Sequence, residues 1–171
     1  MAKKKQQYDF YLAGSIAHDS EAMIWRNNIE SCLSYFTFYN PLKEERKITG
    51  VDLPARFKEI KQFADQGHIQ KLDELKSDMW EIVIPNDISG ITQSNALIVN
   101  IKRDNRICGT FIEMYEAFVI QSKPVYVISE LKYSEMTNWE IALSSIIFHS
   151  FDELINYFRK PENIAKVERN G

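Results

Sequence analysis

Short apolar stretches rich in aromatic and β-branched residues alternate with longer segments of helical periodicity along this chain. A first strand is predicted in YDFYLAG (8–14), and a second in FTFYNPL (36–42), where an Asn-Pro pair closes the run. Between them, DSEAMIWRNNIESCLSYF repeats its apolar residues at helical spacing, with Asp19 or Ser20 as the N-cap. Together the three segments predict a β-α-β unit.

The middle of the chain is predicted to be mostly helical. Residues 53–80 carry an apolar stripe among many charges and are interrupted near Gly67, which indicates one or two surface helices. A short helix is expected over 85–94, because proline is tolerated in a first helical turn. ALIVNI (96–101) is a continuous apolar run, typical of a strand covered on both faces of a parallel sheet.

The last third of the chain completes the pattern. A helix is predicted to begin near Gly109 or Thr110, and PVYVIS is a further buried strand. Beyond it we expect a helix in YSEMTNWEIALSS, a short strand in IIFHS and a closing helix in FDELINYFRK, with Ser150 as its N-cap. The sum is a three-layer, doubly wound α/β fold with a mostly parallel sheet of five strands. Such sheets bind ligands beyond the carboxyl ends of their strands.

Length and composition fit one domain. The 171 residues, 44% of them hydrophobic, suffice for one core. We assign 8–160 to the domain, 1–7 to a flexible basic tail and 161–171 to a polar C-terminal tail.

Charge and hydropathy exclude two classes of partner. A net charge of -3 argues against a nucleic acid polymer as partner. The apolar runs are shorter than the ~20 residues that span a bilayer, so no membrane association is expected.

Cysteine and histidine usage narrows the classes of site. Two cysteines outside any CxxC pair are too few for a disulfide scaffold, which indicates a reducing, cytoplasmic setting. His18, His68 and His149 are isolated in the sequence, so no metal is expected.

Glu113 is the residue that most needs an explanation. It lies about one turn into a predicted helix, on the apolar stripe that continues through Ala117 and Ile120. A carboxylate directed toward a sheet needs either a partner or a function. Residue type alone favours the simpler explanation, an acid stabilised by the helix dipole.

Four segments, taken together, resemble the nucleoside 2-deoxyribosyltransferase family, including related nucleoside 5′-monophosphate N-glycosidases, over roughly residues 8–150. They are YLAGSI, NPL, NDISGITQSNALIV and GTFIEMYEAFVIQSKPVYVI. The resemblance depends on their order, with D-x-x-x-I before the third strand and G-T-x-x-E-x-x-x-A followed by K-P-V. It implies a flavodoxin-like fold, no metal or organic cofactor, and a homo-oligomer whose sites are shared across subunits. The implied partners are a small nucleoside or nucleotide and a free nucleobase.

The resemblance assigns the catalytic roles. Glu113 corresponds to the nucleophile, which attacks C1′ of the deoxyribose, expels the base and holds the sugar covalently until a second base takes it. A carboxylate suits this role, as it does in retaining glycosidases. Asp87 corresponds to an aspartate that contacts the base and moves protons, and Tyr11 to a tyrosine that touches the nucleophile. Without the resemblance, Tyr11 is plain core and Asp87 is an acid at a helix start.

Further positions are implied to contact substrate. Gly14 and Ser15 correspond to the loop beneath the sugar or its 5′ group, and Gly109 and Thr110 to the start of the nucleophile's motif. Asn138 corresponds to an asparagine that reaches the sugar's 5′ hydroxyl from a neighbouring subunit. Its simpler role is a helix N-cap.

The chain also departs from the family pattern. Ile107 and Asn95 stand where the family has aspartates, and Tyr115 stands where it has a glycine. The family's aspartate at the position of Ile107 recognises or protonates the leaving base. In this chain Asp104 or Asp87 would take its place. Tyr115 would narrow the pocket if it pointed inward.

The charged run KEERK (43–47) has two explanations. It is expected to be a solvated loop, and the alternative is that Glu45 or Arg46 lines the base site.

Three functions stay open, in this order: a transferase that moves 2-deoxyribose between nucleobases, a hydrolase of nucleosides or nucleoside 5′-monophosphates, and a non-catalytic nucleotide sensor. The missing acids favour the sensor and Glu113 disfavours it.

Overall fold

The structure, a computed structural model, describes residues 7–14, 21–102 and 108–169. Residues 1–6 of the expected basic tail and the expected N-cap at Asp19 or Ser20 lie outside these ranges.

Five parallel strands form a single sheet. Their spatial order is β2-β1-β3-β4-β5, and every neighbouring pair is parallel. The chain therefore leaves β1 on one side and returns to its other side as β3, which makes the β1/β3 boundary the switch point of a doubly wound sheet. This confirms the predicted fold class. The strands are β1 (Tyr8–Gly14), β2 (Phe38–Tyr39), β3 (Ser94–Ile101), β4 (Val125–Ser129) and β5 (Ile146–Phe148).

Helices cover both faces of the sheet. The α-helices are α1 (Ala22–Cys32), α2 (Pro41–Thr49), α3 (Leu53–Asp65), α4 (Lys71–Asp78), α5 (Ile84–Gln93), α6 (Cys108–Tyr115), α7 (Asn138–Ala142), α8 (Phe151–Phe158) and α9 (Pro161–Arg169). Two π-helical segments, Met79–Val83 and Glu116–Ile120, adjoin α5 and α6, and Tyr133–Glu135 is a 3₁₀ turn. In the described part of the chain, no helix has the length and apolar composition needed to cross a bilayer.

The core is split by the sheet into two layers. On one side, α1, α8 and α9 pack over alternate residues such as Phe10 and Ile98. On the other, α5 and α6 pack over Tyr11, Leu97 and Val99. All eight residues of β3 are buried, because its successive side chains enter both layers. This explains why β3 is a continuous apolar run in the sequence.

The second predicted strand is much shorter than expected. Only Phe38–Tyr39 pairs with β1, and Pro41 begins α2. Proline suits a first helical turn, where its missing N–H has no helical partner to lose. The expectation of a solvated loop at 43–47 is therefore wrong, since these residues lie in α2, which ends at Gly50 in the left-handed conformation.

The C-terminal segment also differs from the expected polar tail. Residues 161–169 form α9, whose Val167 is fully buried in the first layer, with Ile164 packed beside it. Because Ile164 and Val167 lie three positions apart, they share one face of this mostly polar helix, and that face packs against the core.

The expected N-cap of α8 is confirmed, since the Ser150 hydroxyl accepts the N–H of Glu153 at 3.2 Å.

Val167→Ala should lower the free energy of unfolding by about 2 kcal/mol, because it removes two buried methyl groups and leaves a cavity. Urea denaturation measures this, with exposed Glu162→Gln as the control. A Val167→Ala protein as stable as the control would mean that α9 does not contribute to the core.

Candidate active site

Three of the residues predicted from the sequence meet at one hydroxyl group. The Tyr11 hydroxyl lies 2.7 Å from Asp87 Oδ1 and 2.7 Å from Glu113 Oε1. Tyr11 comes from β1, Asp87 from α5 and Glu113 from α6, so the site exists only in the folded chain. It lies on the sheet face that α5 and α6 cover.

Local structure sets the direction of each side chain. Tyr11 is fully buried and alternates with Phe10 and Leu12, which face the opposite layer. Asp87 lies in the first turn of α5, and Glu113 lies one turn beyond Gly109 in α6. Both carboxyl residues are half-buried, so each keeps some contact with solvent. Tyr11 is thus enclosed in the core, whereas the two acidic residues are partly exposed.

The hydrogen bonds indicate a shared proton. Tyr11 has one hydroxyl proton but two carboxyl oxygens at hydrogen-bond distance. Both contacts are satisfied when one carboxyl group is protonated and donates to the Tyr11 oxygen, while the hydroxyl donates to the other. Asp87 and Glu113 are therefore joined by a short chain along which a proton can move.

The pKa values of Asp87 and Glu113 also indicate that the two acids share one proton. Burial and the charge of Asp87 raise the pKa of Glu113 to about 8, although the Tyr11 hydrogen bond and Arg26 oppose the rise. Burial raises the pKa of Asp87 to about 6, again opposed by Tyr11 and Arg26. Near neutral pH the pair therefore holds about one proton. Burial and the two carboxylates raise the pKa of Tyr11 well above its usual value, so its hydroxyl stays protonated.

Arg26 supplies positive charge next to the acids. It is fully buried in α1 and donates to the carbonyl oxygens of Leu12 at 3.3 Å, Ala22 at 2.7 Å and Gly14 at 3.0 Å. Its guanidinium also lies 4.4 Å from the centre of the Trp25 ring. These contacts fix the cation at the carboxyl end of β1.

Gly14 is required by close packing at this strand end. A Cβ atom there would lie 3.1 Å from the Asn100 carbonyl oxygen and 3.1 Å from the Trp25 ring, at a φ of +155°. The structure places Gly14 at the edge where ligands bind in such sheets, whereas Ser15 lies outside the described residues.

Tyr39 and Gly90 hold α5 in place. The Tyr39 ring stacks on Tyr11, with ring centres 5.6 Å apart, and its hydroxyl donates to the Asn86 carbonyl oxygen at 3.2 Å. A Cβ on Gly90 would lie 2.3 Å from the Tyr39 ring, so only glycine permits this approach. Because Asp87 follows Asn86, these contacts help to set its position. The sequence interpretation missed both residues, although Gly90 stands in the quoted NDISGI segment.

Glu45 is a further acid on this side of the molecule. It is only 4% exposed, although it lies in the charged run KEERK. Burial and the charge of Asp87 raise its pKa to about 8, opposed by Arg26. The sequence interpretation named Glu45 only as the alternative to a solvated loop, because a run of charges is usually exposed.

The other predicted positions are more scattered. Thr110 is buried and Gly109 is exposed, both in the first turn of α6. Asn138 is exposed at the start of α7, where Thr137 rather than Asn138 is the N-cap and accepts the Glu140 N–H at 3.2 Å. Within the described ranges, no hydrogen bond joins Asn138 to the Tyr11 group.

Two of the three positions that depart from the family pattern, Asn95 and Tyr115, lie among the described residues. Asn95 is buried in β3, and Ile107 and Asp104 lie outside the described residues. Tyr115 is 46% exposed and stands two positions from Glu113, on another side of the helix, so it does not narrow the pocket. No group of three or more His, Cys, Asp or Glu residues that could hold a metal is found within the described ranges.

The strand order and the two helical layers define a flavodoxin-like α/β protein with a carboxyl pair near its switch point. In fold it is similar to a 2-deoxyribosyltransferase from the psychrotolerant bacterium Bacillus psychrosaccharolyticus. The TM-score is 0.57 and the identity 20%, over 86% of this chain and 90% of that chain. No protein-family model and no curated protein matches the sequence. The resemblance seen in the sequence is thus confirmed at the level of the fold.

Protein stability should depend on pH through Glu113. Its pKa rises from an ordinary 4.5 to about 8 on folding, so its contribution is complete below about pH 4.5 and is lost as the pH rises to about 8. Urea denaturation across this range should show a shallower decline for Glu113→Gln than for the wild type. The control is Glu59→Gln, which replaces an exposed carboxylate. Equal slopes in all three proteins would contradict the raised pKa.

Proposed function

We propose that the protein cleaves the N-glycosidic bond of 2′-deoxynucleosides through a covalent glutamyl-deoxyribosyl intermediate and transfers the sugar to another nucleobase. The observation that carries the proposal is the hydroxyl of Tyr11 held between Asp87 and Glu113. The fold shared with a 2-deoxyribosyltransferase supports it.

Each carboxyl group has a defined part in the first half-reaction. The ionised Glu113 attacks C1′, and a bond from its oxygen to C1′ forms as the bond from C1′ to the base nitrogen breaks. The electron pair of the broken bond goes to the base, which takes the proton held by Asp87. Because the pKa of Glu113 is about 8 and that of Asp87 about 6, the shared proton lies on Glu113 in the free protein. Tyr11 passes it to Asp87 before the attack, since the Tyr11 oxygen accepts the proton of Glu113 and its hydroxyl donates its own to Asp87. The proton shared by the pair then lies where the leaving base needs it.

The second half-reaction reverses these steps with a different base. A nitrogen of the incoming base attacks C1′, the bond to Glu113 breaks, and the proton lost by the base returns to Asp87. Two displacements at C1′ retain the configuration of the sugar. The free enzyme is thereby restored, with one proton on the pair.

Hydrolysis of nucleosides or nucleoside 5′-monophosphates is the second candidate. The half-burial of Asp87 and Glu113 favours it, because water can approach the same intermediate. Water would then take the place of the incoming base and lose its proton to Asp87.

A homo-oligomer belongs to the proposal. Asn138 is exposed beside Trp139, which is 65% exposed, and such surface suits a contact with a second copy. In that arrangement, Asn138 would reach the sugar bound by its neighbour.

A chromatographic assay should detect turnover. The purified protein is incubated with 2′-deoxynucleosides and their 5′-monophosphates, each with and without a competing free base. A new nucleoside that forms only with acceptor base present is the expected result. Glu113→Ala should lower the rate by about 10³-fold or more, as removal of a covalent nucleophile does.

Glu116→Ala is the matched control, because Glu116 begins the π-helical segment that adjoins α6 and accepts a hydrogen bond from Gln121 at 2.9 Å. It should keep most of the activity. Release of free base without acceptor would instead identify a hydrolase, and no reaction with any substrate would favour the sensor. An active Glu113→Ala protein would contradict the assignment of the nucleophile.

A further inference from the structure

Lys123 is a buried lysine that bonds to both of the helical units that carry the acids. It is only 9% exposed, although lysine is almost never enclosed without partners. Its ammonium group donates to the carbonyl oxygens of Ile91 at 2.5 Å and of Thr92 at 2.9 Å, in the last turn of α5. Its backbone N–H donates to the Ala117 carbonyl oxygen at 2.8 Å, in the π-helical segment that extends α6. One residue therefore joins the end of α5 to the extension of α6.

The backbone on both sides of Lys123 is constrained. Ser122 lies in the left-handed region, at a φ of +54°, and in the described part of the chain it is the only non-glycine residue with a positive φ. That conformation is unfavourable for a residue with a Cβ atom. Pro124 restricts Lys123 to extended backbone, and the Pro124 carbonyl oxygen accepts the Leu97 N–H of β3 at 2.9 Å. The turn and the sheet thus fix the place of Lys123.

The end of α5 does not by itself require the lysine. The Ile91 carbonyl oxygen already accepts the backbone N–H of Ser94, which closes the helix. Two other helices, α1 and α2, are likewise closed by backbone N–H groups, those of Leu33 and Gly50. An enclosed cation is costly, so a helix cap is a weak reason to keep one here. The link between the two helical units is the feature that a backbone cap does not supply.

The bonded positions lie near the acids. Ile91 follows Asp87 by four residues in α5. Ala117 follows Glu113 by four residues, just beyond the junction of α6 with its extension. Both Ile91 and Ala117 are buried in the core layer that contains Tyr11, and α5 packs against α6 and against the extension. A displacement at either bonded end is therefore about one helical turn from an acid.

We propose that Lys123 is a positioning residue, which joins α5 to the extension of α6 and thereby sets the separation at which Asp87 and Glu113 meet the Tyr11 hydroxyl. Both contacts of that hydroxyl are 2.7 Å long, so a shift of either helix by about 1 Å would break one of them. The proposal deepens the function proposed above and rests on it, because proton transfer between the acids needs both contacts at once. Lys123 acts through the acids and does not touch the reacting atoms.

The charge of Lys123 is not the means by which it acts. The main charges that shift the pKa values of the two acids are those of Arg26, of Glu45 and of Asp87 on Glu113. Burial lowers the pKa of Lys123 itself to about 8, opposed by a nearby carboxylate. A neutral amine still has two N–H groups for the two carbonyl oxygens, so the link persists when the proton is lost. Changes in the acids after substitution of Lys123 therefore report their positions.

Carbon-13 NMR titration of the side-chain carboxyl groups tests the proposal without substrate. In the wild type the pair should titrate with midpoints of about 6 and about 8. Lys123→Met, which keeps the side-chain length and removes the donors, should lower the upper midpoint by at least about 0.5 unit, because Glu113 gains water and moves away from the charge of Asp87. Lys123→Arg keeps the donors and should keep both midpoints within about 0.2 unit of the wild type.

Ser94→Ala is the matched control. The Ser94 hydroxyl is fully buried and donates to the Gly90 carbonyl oxygen of α5 at 2.8 Å, but it does so from β3 and does not link α5 to α6. Its loss should lower stability to urea and leave both midpoints in place. If Lys123→Met does not fold, Lys123→Gln decides, since its amide is one bond shorter and should also lower the upper midpoint. An unchanged upper midpoint in the folded Lys123 variant that lacks the link would overturn the proposal.

Kinetics separate failure of this proposal from failure of the proposed function. With a 2′-deoxynucleoside that the wild type cleaves, Lys123→Met should lower kcat by about tenfold or more while KM stays within about threefold, and Lys123→Arg should restore kcat. If no nucleoside is cleaved but the upper midpoint falls as expected, the positioning role stands without the reaction. If nucleosides are cleaved and Lys123→Met changes neither the midpoints nor kcat per folded molecule, Lys123 only supports the fold, and the proposed function stands.

Discussion

The hydroxyl group of Tyr11, held between two carboxyl groups, is the interaction on which the rest of the site depends. A hydroxyl 2.7 Å from each of two acids requires about one proton to be shared among them. That proton allows one acid to act as a nucleophile and the other as a proton donor near neutral pH. Burial raises the pKa of Glu113 to about 8 and that of Asp87 to about 6, so the proton must pass from Glu113 through Tyr11 to Asp87 before Glu113 can attack.

The fold brings these groups together through a few close contacts. Parallel β1 and β3 place Tyr11 beneath the two helices that carry the acids, and Tyr39 packs on Gly90 where a side chain would not fit. Arg26, bonded to three carbonyl oxygens at the end of β1 and the start of α1, limits the repulsion between the acids. The acidic site is thus balanced by a cation that the main chain holds in position.

Much of this could be predicted from the sequence, because continuous apolar runs identify strands buried on both faces, and ordered motifs linked Glu113 to Asp87 and Tyr11. Glu45 could be named only as an alternative, since its neighbours along the chain are charged and its burial results from α2 packing on α5 and β1. Helix α9 was missed for a similar reason. Its composition is polar, and only the spacing of Ile164 and Val167 shows the face that joins the core.

A mass measurement tests the central claim most directly. The protein is mixed with a 2′-deoxynucleoside in the absence of acceptor base, quenched in acid, digested and analysed by mass spectrometry. We predict that the peptide containing Glu113 gains the mass of one deoxyribosyl group, and that the same peptide of Glu113→Gln does not. Release of free base with an unmodified Glu113 peptide, or with the sugar attached to another residue, would contradict the account.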